Sequence, residues 1–417
     1  MLFRSRVNAP IVDGLEELVI REMRSRNAAD QKFGDRAAHQ LLTREQLGKV
    51  AEALPRLAQQ NSFVTAFLRR LRPPAGVDIS VNDEERLRYL LEVDAYVNQL
   101  PATFNHLKAA SIYRLLEFNH GRGDYDLQLF LRYLNLPRVS PIVPREWSGK
   151  PNRADLNQDF QQMALLSRIG NEQPLVRAYL EHFLKDAPNT NQFSGLILED
   201  YLQRVFAETK LMNGIGDEQV WYRVLKPAER QQLRDRKELR LSANNIRLLN
   251  AEAKSVLRVD LKNISELMVR VYELNTESFY RTHEEDLDTD LDLDGLVATS
   301  ERSLKFSQPA IIRHREEIDL SSITGRGVWI VDLVGDGLRA RALLRKGSID
   351  HVDGFSADGM SFTVIDENRK AIPGAVMWVG KQLFRADEQG KIVIPPVMKE
   401  TQRHGVISDG KISNRFH

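Results

Sequence analysis

The first half of the chain carries apolar residues at three- and four-residue spacing, the pattern of helices that bury one face. Segments such as ERLRYLLEVDAYVNQL and YDLQLFLRYLNL follow this spacing. Local signals mark two helix starts: Thr43 and Gln46 fit a capping box, and Pro174 falls in the first turn of PLVRAYLEHFLKD. Because each helix must cover its apolar face with neighbours, we predict a helical array over residues 1–236. A proline-rich connector at 139–155 is a candidate break within it.

From Glu238 onward the apolar period shortens to two, the pattern of half-buried strands. The alternating segments are VLRVDL, LMVRVYEL, VWIVDLV, MSFTVID, AVMWVG and KIVIP, and glycine-containing turns separate several of them. Short strands between such turns favour β-sandwiches. We therefore predict one sandwich over 237–350 and a second, truncated one over 351–417, in an α+β multi-domain chain.

Four single residues have predicted structural roles. Asn61 and Asp124 stand in front of helical segments, where their side chains predict N-caps. Trp329 and Trp378 fall in central strands of the two β regions, so we expect both to be core anchors.

Composition excludes several kinds of site. The chain of 417 residues has no cysteine, which excludes disulfides, thiolate catalysis and cysteine-bound metals. Lys plus Arg (59) nearly balances Asp plus Glu (58), so nothing in the net charge attracts nucleic acid, and we expect no nucleic-acid partner. No apolar stretch reaches the roughly 18 residues that a membrane span requires. We find no catalytic constellation and predict that the chain is not an enzyme.

Both ends of the chain suggest a piece of a longer protein. Leu2–Ser5 has the form of a translated sequencing adapter. At the other end, HGVISDGKISNRFH begins a hairpin that we expect not to close. We therefore interpret the sequence as a fragment.

The sharpest chemical motif is an acidic segment that satisfies the calcium-loop pattern D-x-[DN]-x-[DN]-G-x5-E. Carboxylates of Asp290, Asp292 and Asp294 would converge on a hard cation, the carbonyl of Leu296 would be a further ligand, and Glu301 could close the site. The following segment RSLKFSQP makes a poor exiting helix. The alternative is therefore a solvated acidic loop whose Leu291, Leu293 and Val297 pack on a sheet.

Several β segments resemble the macroglobulin-type modules of alpha-2-macroglobulin-like proteins, in particular very large bacterial members. The resemblance rests on ISELMVRVYELNTESFYR, GRGVWIVDLVGDGLRARALLRKG and GAVMWVGKQLFRADEQGKIVIP, and more loosely on VFAETKLMNGIGDEQVWYRVL. It implies macroglobulin/immunoglobulin-like sandwiches after an all-α array, an extracytoplasmic location and protein partners, including proteases in trapping members. The thioester of that family needs a cysteine, which this chain lacks, so no functional residue is carried over.

These observations predict a non-catalytic structural or interaction portion of such an extracytoplasmic protein, contributing to protease trapping. Two alternatives stay open. One is an accessory region of a large envelope hydrolase whose catalysis lies elsewhere. The other is an adhesion module stiffened by calcium.

Overall fold

The chain forms two compact units, Met1–Thr209 and Lys210–His417. Helices make up the first unit and antiparallel sheets dominate the second, which confirms the α+β multi-domain class of a helical array followed by immunoglobulin-like sandwiches. The sequence predicted domain boundaries at 236/237 and 350/351. The division into two units does not test these boundaries, so they stay predictions. The computed structural model describes residues 12–26, 32–73, 79, 83–242, 245, 248–283, 287–356, 359–395 and 405–416; Leu2–Ser5 lies outside them.

Helices build the first unit, and most of them have one buried side. In chain order they are α1 (Leu15–Ser25), α2 (Ala37–Leu41), α3 (Arg44–Ala53), α4 (Pro55–Ala58), α5 (Asn61–Leu71), α6 (Asp83–Val97), α7 (Asn105–Arg122), α8 (Leu127–Leu134), α9 (Gln161–Ala164), α10 (Gln173–Asp186) and α11 (Glu199–Met212). Short 3-10 helices cover Ala102–Phe104, Arg145–Gly149 and Asn191–Phe193.

Local signals predicted some helix starts correctly and others wrongly. The capping box of α3 is confirmed: the Thr43 hydroxyl accepts from the Gln46 amide at 3.2 Å, and the Gln46 side chain accepts from the Thr43 amide at 3.0 Å. The Asn61 cap is wrong, since Asn61 is already helical. The Asp124 cap is also wrong, because Asp126 accepts from the Leu129 amide instead. Asp124 and Asp126 are both suitable N-cap residues, and Asp126 is the cap because the helix begins at Leu127.

After the last residues of α11, the second unit continues with α12 (Glu218–Val224) and α13 (Pro227–Asp235) and then with strands. The strands are β1 (Glu238–Leu241), β2 (Leu248–Leu249), β3 (Val256–Lys262), β4 (Glu266–Glu273), β5 (Ser300–Lys305), β6 (Arg313–Asp319), β7 (Gly327–Gly335), β8 (Leu338–Lys346), β9 (Ile349–Ser356), β10 (Gly359–Asp366), β11 (Val376–Val379), β12 (Gln382–Arg385), β13 (Lys391–Ile394), β14 (Gly405–Ser408) and β15 (Ser413–Phe416). A short helix, α14 (Thr276–Thr282), lies between β4 and β5.

The first sandwich packs the sheet β1-β3-β6 against the sheet β2-β8-β7-β4-β5. All pairs are antiparallel except β2 with β8. Val259, Val269 and Val331 fill the space between the sheets, and Trp329 is buried among them. The core role predicted for Trp329 is thus confirmed.

The second sandwich packs the sheet β13-β10-β9 against the sheet β12-β11-β14-β15 around Phe362, Val364 and Met377. The hairpin that we expected to stay open is closed, because β14 and β15 pair from Gly405 to Phe416. The core role predicted for Trp378 is wrong. Its neighbours Met377 and Val379 point into the sandwich, so alternation turns Trp378 to the outer face, where it packs with the residues of α14.

In the described part of the chain, no helix is long and apolar enough to cross a membrane.

Candidate functional site

The acidic segment forms an exposed loop between α14 and β5. Asp290, Asp292 and Asp294 lie in this loop, and Leu296 is 45% exposed. Glu301 lies on β5, where its carboxylate pairs with the Arg270 guanidinium at 2.7 Å. Among the residues that the structure describes, no three acidic or histidine side chains come together as a metal site.

A cation from the chain itself holds this acidic loop. Arg341, on β8, donates to the carbonyl oxygens of Thr289 and Leu291 at 3.0 and 2.7 Å. Arg341 and Arg339 also donate to Asp332, whose side chain is fully buried. Burial opposes ionisation of Asp332, but the two arginines outweigh burial and hold the pKa of Asp332 below its usual value.

This arrangement resembles the solvated alternative more closely than the calcium loop. Leu291 and Leu293 pack in the cluster under the loop, as that alternative predicted, whereas Val297 is 90% exposed. Sequence reasoning missed Arg341 because it lies about 50 residues beyond the motif, on another strand. Calcium binding by the acidic segment stays a prediction.

The strongest candidate for a binding surface is in the helical unit, at the proline-rich connector. We call residues 139–153 the cationic loop. Its ends are joined, because the Val139 amide donates to the Ala154 carbonyl at 3.0 Å and the Ala154 amide donates to the Pro137 carbonyl at 2.7 Å. A surface loop of this length with closed ends is an Ω-loop, a class that often carries function.

Buried side chains and hydrogen bonds fix the body of the cationic loop. Ile142, Val143 and Trp147 are 2%, 7% and 6% exposed, so three apolar side chains of the loop are buried. The Ile142 carbonyl accepts from the Leu198 amide at 2.8 Å. The Asn152 carbonyl accepts from the side chain of Asn105, which is itself buried, at 3.0 Å.

A buried ion pair lies at the base of the loop. Arg138 Nε donates to Glu172 Oε2 at 2.7 Å, and both side chains are almost completely buried. Arg138 Nη1 also donates to the Leu134 carbonyl at 3.0 Å, and the Tyr133 hydroxyl donates to Glu172. Burial, followed by the nearby negative charge of Glu172, raises the pKa of Tyr133 well above its usual value. Every charge in this group thus has a partner of opposite sign.

The fixed loop presents cations to solvent. Arg145, Lys150 and Arg153 are exposed, against a single acidic residue, Glu146, so the loop carries a net charge of +2. Lys150 Nζ lies 3.8 Å from the centre of the Trp147 ring, a cation–π contact that orients the side chain. Within the described residues, Arg145 and Arg153 form no ion pair.

The sequence predicted this segment as a connector but not as a site. One feature of the sequence indicates an ordered loop: Ile142, Val143 and Trp147 are apolar residues in a stretch otherwise rich in proline and charge. The ion pair of Arg138 with Glu172 had no local signal, because 34 residues separate the partners.

Two family models match the chain. Residues 2–237, more than half of the chain, match the Actin-binding protein F N-terminal domain. Residues 267–347 match the AbpF first immunoglobulin-like domain. A curated relative, Actin-binding protein F of Dictyostelium discoideum, is 24% identical over 392 residues, which cover 92% of this chain and 16% of the relative. The chain therefore spans about one sixth of that relative's length.

Solved structures of native alpha-2-macroglobulin from Escherichia coli are also similar in part. One spans domains MG0-NIE-MG1, with 14% identity, a TM-score of 0.29, and coverage of 43% of this chain and 63% of that chain. A second, spanning NIE-MG1, has 13% identity, a TM-score of 0.28, and coverage of 43% of this chain and 96% of that chain. Scores this low do not assign a fold.

The family matches overturn the resemblance to alpha-2-macroglobulin-like proteins, and with it the expected macroglobulin modules, protease-trapping role and extracytoplasmic location. The two alternatives, an accessory region of an envelope hydrolase and a calcium-stiffened adhesion module, are also unsupported by these matches. Strand alternation and glycine turns are common to many β-sandwich families. The sequence segments that suggested the resemblance therefore indicate the sandwich fold and do not identify the family. By the match over its helical half, the chain belongs to the family of the Actin-binding protein F N-terminal domain.

Proposed function

We propose that this chain is part of an actin-binding protein and that its helical unit contacts the actin filament. The observation that supports the proposal is the family match over residues 2–237, together with the name of the Dictyostelium relative. The relative is far longer than this chain, so the proposal concerns the contribution of this segment. It implies a protein that works with the cytoskeleton inside the cell.

We assign the contact to the cationic loop. Binding to a mobile loop loses affinity to the ordering of backbone and side chains. The cationic loop is already ordered by its closed base, its buried Trp147 and the bonds to Leu198 and Asn105. The ordered backbone therefore holds Arg145, Lys150 and Arg153 at set places on the surface, and their charge fits a surface patch of carboxylates.

The proposed role is binding without catalysis. The acidic side chains of the segment between α14 and β5 do not converge on a common point among the described residues. In the helical unit, the buried charges of Arg138 and Glu172 neutralise each other. A protein partner held by exposed charges is what this chemistry supports.

The test is co-sedimentation of the 417-residue chain with filamentous actin. We expect the chain to enter the pellet in a saturable manner, and less so as salt is raised, because exposed ion pairs are screened. The chain centrifuged without filaments is the control for self-association. A chain that stays in the supernatant at every filament concentration, at low salt, would show that the proposal is wrong.

A further inference from the structure

The two sandwiches are joined by a very short linker. β8 ends at Lys346 and β9 begins at Ile349, so only Gly347 and Ser348 separate the two folds. Gly347 has a φ of 86°, a conformation that favours glycine. A Cβ atom at this position would lie 2.8 Å from Arg326 Nη1 and 3.1 Å from Ile412 Cδ1. Side chains from both sandwiches therefore pack directly onto the linker.

Arg326 connects the first sandwich to two turns of the second. Its Nε and Nη2 atoms donate to Asp409 at 3.0 and 2.8 Å, and its Nη1 atom donates to Glu367. Its Nη2 atom also donates to the Ser348 carbonyl of the linker at 2.9 Å. The Ser348 amide donates to Glu367 at 3.0 Å, which completes the ring of bonds around the linker.

The carboxylates that meet Arg326 are mostly buried, with Glu367 13% and Asp409 9% exposed. Partly buried, charge-assisted hydrogen bonds are stronger than exposed ion pairs. Burial raises the pKa of Glu367 while the Ser348 amide and Arg326 lower it, and the net effect is a lowered pKa. Arg326 thus acts as a clamp between the two folds.

A second contact lies at α14, which belongs to the first sandwich. The Trp378 indole N–H, on the outer face of β11, donates to the Glu277 carboxylate at 2.9 Å. The guanidinium of Arg281 lies 3.7 Å from the centre of the Trp378 ring. Tyr280 of the helix and Val406 of β14 are buried in the same apolar cluster. This packing explains why Trp378 lies on an outer face.

Further bonds link the strands on either side of the linker. Arg345 donates to the Tyr280 hydroxyl at 3.0 Å and to the Asn414 side chain at 3.4 Å. Asn414 in turn donates to the Ile349 carbonyl at 2.7 Å. The contacts of Arg345 and of Trp378 share α14, through Tyr280 and Glu277, whereas the contacts of Arg326 come from other elements.

We propose that the two sandwiches form one rigid arm, clamped by Arg326 and by the contact of α14 with Trp378. Two folds joined only by a linker move relative to each other by default. Here independent contacts in addition to the covalent link hold them in one orientation. The arm therefore holds the second sandwich in one direction relative to the first. This inference does not depend on actin binding.

The absence of cysteine allows a direct test. Spin labels on Lys305→Cys and Glu388→Cys, exposed positions of the first and second sandwich, report the distance between them by double electron–electron resonance. We expect one narrow distance distribution in the otherwise unchanged chain. In the Arg326→Ala/Trp378→Ala variant, which removes both clamps and leaves the bonds of Arg345 in place, we expect the width to increase about twofold.

A control pair, Lys305→Cys with Arg240→Cys, lies within the first sandwich and should stay narrow in both proteins. If the control broadens in the double variant, the fold itself is damaged, and Arg326→Ala alone, which leaves the α14 contact in place, becomes the test. A broad distribution in the unchanged chain would overturn the proposal. So would a variant with an intact control whose distribution matches that of the unchanged chain.

Discussion

Arg138 and Glu172 form a buried ion pair, 2.7 Å between Nε and Oε2, at the base of the cationic loop. Removing one partner of a buried pair leaves an uncompensated charge, whereas replacing both with apolar groups can be nearly neutral. The pair therefore makes the position of the loop sensitive to single changes.

Replacing the arginine alone should be strongly destabilising. We expect Arg138→Met to lower the free energy of unfolding by about 3–5 kcal/mol, because Glu172 loses its cation. The combined variant Arg138→Met/Glu172→Met/Tyr133→Phe removes all three polar side chains and leaves only backbone carbonyls, such as that of Leu134, without their donor, so it should recover part of this loss. Urea denaturation measures both. Equal destabilisation in the two variants would contradict this account of the pair.

Lys262 predicts a pH dependence of the second unit. Its ammonium donates to the Leu233 and Arg236 carbonyls, 2.5 and 2.8 Å away, at the end of α13. Burial, followed by the positive charge of Arg236, lowers the pKa of Lys262 to about 8. The unfolded chain keeps a lysine pKa of about 10.4, so between these values the unfolded state binds more protons than the folded state.

Stability should therefore rise with pH between about 8 and 10.4 through this residue. The measurement is urea denaturation of the unchanged chain and of Lys262→Met across that window. The unchanged chain should gain stability relative to the variant as pH increases. A difference that is constant, or that shrinks, would contradict the lowered pKa.

Arg302 protects an open sheet edge. β5 is an edge strand, and Arg302 pairs in register with the core residue Val269, so its side chain starts on the inward face of the strand. From there it donates to the Asp319 carbonyl of β6. An inward-pointing charge on an edge strand prevents pairing with another molecule.

We expect Arg302→Leu to aggregate, because the inward-pointing charge that blocks pairing at the open edge is lost. Lys305→Leu removes the same charge on the outward side of the same strand and is the matched control. Static light scattering of both variants during storage is the measurement. Aggregation of the control to the same extent would mean that lost charge alone is responsible.

The acidic loop has a simple test. Glu301 is already paired with Arg270, and Arg341 already holds the loop backbone, so we expect calcium to leave the midpoint of thermal unfolding unchanged. An upward shift that disappears with Asp290→Asn/Asp292→Asn/Asp294→Asn would instead establish the calcium site that the sequence motif predicts.

Some patterns that depend on neighbours in sequence were predicted correctly, although the caps at Asn61 and Asp124 were not, and patterns that depend on distant parts of the chain were missed. The capping box of Thr43 needs only residues three apart, and alternation correctly placed Trp329 in a core. Alternation also places Trp378 on the face of β11 opposite Met377. What packs on that face is α14, about 100 residues earlier in the chain, which no local pattern indicates. Arg341 and Glu172 act on segments far from them in sequence, so no local pattern identifies their roles.

The central claim is that the cationic loop contacts actin, and charge reversal tests it most directly. Arg145→Glu/Lys150→Glu/Arg153→Glu reverses the loop, and Arg21→Glu/Lys32→Glu/Arg56→Glu makes the same change at exposed positions elsewhere in the helical unit. The measurement is the dissociation constant from co-sedimentation with actin filaments. We expect the loop variant to bind about tenfold more weakly or worse, because it loses a few exposed ion pairs with the filament. The control variant should bind as the unchanged chain does. A loop variant that binds like the unchanged chain, or a control that weakens equally, would contradict the claim.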